Sequence, residues 1–90
     1  MLIMRAEIAD ELARLAFELA RPMPSSALKD GWCAQTWQKW QSIFETLYAR
    51  VIAGESDFSG GIARALDFDG VIGGQVLERA AAVGNALGRL

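Results

Sequence analysis

Trp37, Trp40, Phe44, Leu47, Tyr48 and Val51 recur at intervals of three and four residues. An α-helix turns about 100° per residue, so this spacing gathers six large apolar side chains on one side of a helix. A stripe of that bulk has to be buried against other helices. It constrains the fold more than anything else in the chain and sets the expected class as all-α. The helix is predicted over 31–53, with Asp30 as its N-cap and Gly54 as its stop. Its other face carries Gln35, Gln38, Ser42, Glu45 and Thr46, with few charges.

A first helix is predicted over 2–21. Ile8, Leu12, Leu15 and Leu19 form one stripe, and Ala6, Ala9, Ala13, Phe17 and Ala20 form a second beside it. Together they span an apolar arc of about 220°, wider than the single stripe of an ordinary surface helix. Asp10 and Arg14 are an acid-before-base pair at i,i+4, which supports an exposed helical face. Pro22 and Pro24 end the segment. In the linker 22–30, Ser26 can cap a short turn through Leu28.

After the turn-forming stretch 54–60, a short helix is predicted over 60–66, capped by Asp57 or Ser59, with Ile62 and Leu66 on its apolar side. A last helix is predicted over 70–88, with Asp69 as N-cap. Ile72, Val76, Val83 and Leu87 form its core stripe, and Gly73, Ala80, Ala81, Gly84 and Gly88 lie beside it. The expected architecture is a small helical bundle of three main helices plus a short fourth, a single helical domain over 1–90, without a sheet. Its core is predicted to hold Leu12, Leu15, Leu19, Trp37, Trp40, Phe44, Leu47, Val51, Ile62, Leu66, Val76, Val83 and Leu87. Trp32 lies off the stripe's centre, and its spacing leaves open whether it is buried or partly exposed.

Composition narrows the function. A chain of 90 residues buries only about 60–65% of its unfolded surface, so its stability is modest unless a partner adds to it. The hydrophobic share is 52%, above the ordinary range, which is compatible with self-association. There is no His, which removes Ser-His-Asp and Cys-His catalysis and imidazole metal ligands. Cys33, the one cysteine, is expected as a small buried hydrophobe, and a reduced thiol suits a reducing compartment. Net charge is −2 and the cations are scattered, which argues against a phosphate-tracking surface. No segment reaches the ~18 apolar residues of a membrane span. Arg5, Glu7, Asp10 and Glu11 interrupt the apolar start as no signal peptide would. A cytoplasmic protein, bacterial in its Ala and Arg usage, is expected.

Asp67-Phe68-Asp69-Gly70-Val71-Ile72 resembles the first motif of haloacid-dehalogenase-like phosphatases, in which the first Asp attacks phosphorus and the second is the general acid/base. In that family the motif follows a buried strand. Here it follows Gly61–Leu66, which reads as helix, so these residues are expected to form a turn and an N-cap. Asp67, Asp69 and Glu78 echo the first, third and twelfth ligands of a calcium loop, but Ile72 occupies the position that requires glycine. Neither pattern supports an enzyme, a metal or a cofactor.

The expected function is therefore a small non-catalytic protein–protein interaction module, homodimeric, of the adaptor, antitoxin, immunity-protein or mobile-element inhibitor kind. The partner is a protein or a second copy. The candidate interface is Ala13 and Phe17 on the first helix, then Ala80, Gly84 and Gly88 on the last. The alternative is a nucleic-acid-associated helical regulator, which needs Arg5, Arg14, Arg21, Lys29, Lys39 or Arg50 to converge.

Overall fold

The computed structural model describes residues 4–58 and 72–90. Four helices are present in that range: α1 (Arg5–Ala20), α2 (Ser26–Lys29), α3 (Ala34–Ile52) and α4 (Gln75–Leu87). No strand occurs among the described residues. The protein is all-α, with three long helices. The short helix predicted over 60–66, with Ile62 and Leu66, lies outside the described residues. The short helix that is seen is the single turn α2, where the linker Ser26–Leu28 was expected to turn.

α1 is the central helix. It packs against α3 on one side and α4 on the other, and the two flanking helices do not pack closely on each other. α1 and α3 run antiparallel. Arg5, at the start of α1, donates to the carbonyls of Val51 at 3.1 Å and Glu55 at 2.8 Å, near the end of α3. At the other end, Trp37 Nε1 donates to the carbonyl of Arg21 at 3.1 Å. The core between them holds Ile8, Leu12, Leu15, Leu19, Trp40, Phe44 and Val51, with Val83 from α4, all essentially without solvent contact. Trp37, Leu47 and Leu87 are buried as predicted, and Val76 is only partly buried. Tyr48 lies at the edge of the α3 stripe and stays 38% exposed.

The start of α3 departs from expectation. Asp30 closes the single turn α2, and its N–H bonds the carbonyl of Ala27 at 3.0 Å. Gly31 follows with φ +91°, which turns the chain out of helix. The N-cap of α3 therefore falls on Cys33, not Asp30. Thr36 Oγ1 accepts the Cys33 N–H at 3.0 Å, satisfying a backbone donor as in a capping box. Cys33 is consequently exposed at a helix end, with its sulfur 3.4 Å from the Thr36 hydroxyl, not buried in the core. The end of α3 follows the prediction. Gly54 has φ +88°, its N–H bonds the Val51 carbonyl at 3.1 Å, and the Glu55 N–H bonds the Arg50 carbonyl at 3.1 Å. These two bonds make a Schellman stop.

The last helix also starts later than predicted. Its N-cap is Gly74, with φ +92° and ψ −179°, a conformation essentially confined to glycine. The reason is a docking contact with the turn before α3. The Gly73 N–H donates to the Asp30 carbonyl at 2.7 Å, and Trp32 Nε1 donates to the Gly73 carbonyl at 3.0 Å. A Cβ on Gly74 would stand 2.5 Å from the Asp30 carboxylate. This latch buries Trp32 to 3% exposure, edge-on to Trp37 at 5.4 Å, so Trp32 is a core residue and not a partly exposed one. Asp67 and Asp69 lie outside the described residues.

Candidate functional site

α1 has a closed side and an open side. Around the helix, Ile8, Leu12, Leu15, Ala16 and Leu19 turn inward and are buried. Ala6, Asp10, Phe17 and Ala20 turn outward and are exposed, with Ala13 half-buried among them. These outward positions fall at the three- and four-residue spacing of one continuous stripe. Phe17 lies in its second half and is 68% exposed, the most exposed of the large apolar side chains in the described residues. The Arg21 guanidinium lies over its ring, 5.6 Å from the centroid. Such an exposed cation–π contact stabilises by ~0.5–1 kcal/mol and leaves most of the ring uncovered. Glu7, Arg14 and Arg21 stand at the margins of the stripe and are exposed. The acidic Glu7 and Asp10 occupy the first half of this face, and the basic Arg14 and Arg21 occupy the second half.

The second candidate surface is different. Ala80 is 1% exposed and faces the core beside Val83, so α4 uses it within its own chain and it offers no surface to a partner. Gly84 is half-buried, and Gly88 is the exposed C-cap residue of α4. Ala80, Gly84 and Gly88 do not form one exposed ridge. Ala13 and Phe17 do share one face.

The boundary between the closed side of α1 and α4 is held by a group that sequence reading missed. Arg79 donates to Glu11 at 2.9 Å and to Glu18 at 2.5 Å, two carboxylates two turns apart on α1. Partial burial disfavours the Arg79 cation. The hydrogen bonds and charges of Glu18 and Glu11 outweigh that cost and hold its pKa above the ordinary arginine value. These partners are 61 and 68 residues apart in sequence, so no local pattern announces them. The Arg21–Phe17 contact, by contrast, was available from its i,i+4 spacing.

Other cations are engaged inside the fold. Arg50 pairs with Glu55 at 3.2 Å, donates to the Asp57 carbonyl at 2.8 Å and lies 4.7 Å over the Phe58 ring. With Arg5 on the Val51 and Glu55 carbonyls, two of the six cations proposed for phosphate contact are tied to the 51–58 segment.

Several recesses border the described residues, one of them, of about 150 Å³, on α1 among Glu7, Asp10, Glu11 and Arg14. A cleft of about 210 Å³ is lined by Glu18, Asp30, Trp32, Trp37, Gln75 and Val76, among others. It is smaller than the ~300–1,000 Å³ of usual small-molecule pockets, and both indole N–H groups are already bonded to backbone. An open groove on α3 is lined by Ser42, Ile43, Thr46 and Leu47, with no ionisable group among them. Among the described residues, no three Cys, Asp or Glu side chains are placed to hold a metal ion. No helix there is long and apolar enough to cross a membrane. Compared with protein-family models, curated proteins and solved structures, the chain matches none.

Proposed function

We propose that this chain is a small, non-catalytic helical interaction module that binds a protein through the open side of α1. It belongs to the adaptor or inhibitor kind and works in the cytoplasm. The single observation that carries this reading is Phe17. A large aromatic ring stands 68% exposed on a helix whose opposite side is fully used in the core. Tyr, Trp and Phe anchors of this sort dominate the energetics of protein interfaces, and small neighbours such as Ala6, Ala13 and Ala20 let a partner approach closely. The engagement of Arg5 and Arg50 within the fold weighs against the nucleic-acid alternative.

The test is site-specific photocrosslinking in the native host. A photoreactive residue at position 17 is expected to give one discrete protein adduct. The same residue at Glu45, exposed on α3, serves as the control. Equal labelling from both positions, or no adduct from position 17, contradicts the reading.

A further inference from the structure

We infer that the occupant of the open side of α1 is a second copy of the same helix, packed antiparallel about a two-fold axis near Ala13. This rests on the interaction-module reading above and adds to it the partner and its register. Two properties of the face point the same way.

The first is charge. Along the open side, Glu7 and Asp10 precede Ala13, while Arg14 and Arg21 follow it. An antiparallel pair therefore sets the acidic half of each helix against the basic half of the other, with Glu7 about half a turn from the level of Arg21 of the partner copy at each end. A parallel pair sets like against like along its whole length. Like charges juxtaposed across an interface disfavour that arrangement, so the charge order selects one orientation.

The second property is shape. Helices pack by inserting a side chain into the hole formed by residues i, i+3, i+4 and i+7 of the facing helix. In α1 the set 6, 9, 10 and 13 reads Ala, Ala, Asp, Ala. Ala9 is buried and forms the floor of this shallow hole, Ala13 is half-buried, and Ala6 and Asp10 on its open rim are exposed. With the axis near Ala13, Phe17 of each copy falls opposite the hole of the other. The same ring that stands mostly uncovered in one chain thus acquires an alanine-lined hollow in two. Symmetry doubles the contact, as an isologous interface requires. A stable dimer of ~1,200 Å² in total takes about 600 Å² from each protomer. That is a small share of the 5591 Å² each protomer exposes.

Cysteine pairing reads the register directly. Cys33 is first replaced by Ser, which suits its N-cap position. In that background Ala13→Cys is expected to form a symmetric disulfide-linked dimer readily under mild oxidation. Ala6→Cys and Ala20→Cys are each expected to resist linkage alone and to link to one another when mixed. Phe17→Asp is expected to weaken association by more than about tenfold, and a mixture of Glu7→Arg with Arg21→Glu is expected to associate more tightly than either alone. Linkage of Ala6→Cys to itself and of Ala20→Cys to itself overturns the antiparallel arrangement. A protein that stays monomeric, with no linkage at Ala13→Cys, overturns self-association. In that last case an adduct of different mass from position 17 in the host would leave the broader module reading standing, so the two failures are distinguishable.

Discussion

Leu12 and Phe17 are neighbours on one helix and end in opposite surroundings: Leu12 has no solvent exposure and Phe17 has 68%. The difference is one of coverage, not of side-chain chemistry. α3 and α4 flank α1 without closing around it, so one arc of the helix meets the core and the other meets water. In a small bundle an apolar residue is buried only where another element reaches it, and among the described helices α1 has two neighbours and a side that neither reaches.

The contrast can be broken most forcefully from its closed side. Leu12→Ala is expected to destabilise by ~2–5 kcal/mol in urea titration, because it removes fully buried methyl groups and leaves a cavity. A change under half a kcal/mol would show that α1 has no core side. Gly74→Ala is expected to cost about 1–3 kcal/mol, because the backbone conformation is strained for alanine and the new Cβ meets the Asp30 carboxylate. Its effect should disappear if the latch between Asp30 and Gly73 is not formed in solution. Arg79→Met is expected to cost about 1 kcal/mol, the modest sum of two part-exposed ion pairs and the repulsion left between Glu11 and Glu18. High salt should shrink that difference, and a loss insensitive to salt would mean that packing, not charge, seats α4. Smallest of all, Phe17→Ser at micromolar dilution should move the unfolding midpoint by no more than about half a kcal/mol in stability. A larger loss there would put Phe17 in the core and remove the open side.

The sequence made some of this legible and not the rest, for physical reasons that differ from residue to residue. The α3 stripe from Trp37 to Val51 was readable because six bulky side chains on one helical face admit few alternatives. Gly54 was readable because a glycine directly after a periodic segment supplies the left-handed residue of a helix stop. Asp30 was misread as a cap because Gly31 lies between it and the helix, and the positive φ there hands the role to Cys33. Propensity for a cap does not reveal which backbone turn precedes it. Gly73 and Gly74 were placed in a helix because their interval fits one. What they serve is the approach of Asp30 and Trp32, some forty residues upstream. The width of α1's apolar arc implied packing on more than one side. Which side the chain itself leaves uncovered depends on the placement of α3 and α4, and only the fold supplies that.

Self-association through the open side is tested most directly by sedimentation of the native chain and of Phe17→Asp over about 1 to 100 μM. The native chain is expected to rise from its 9.8 kDa toward twice that mass as concentration increases. Phe17→Asp is expected to remain at the single mass throughout, with an unchanged far-UV circular dichroism spectrum. A native chain that stays at 9.8 kDa across the range, or a Phe17→Asp variant that associates as strongly as the native chain, would contradict it.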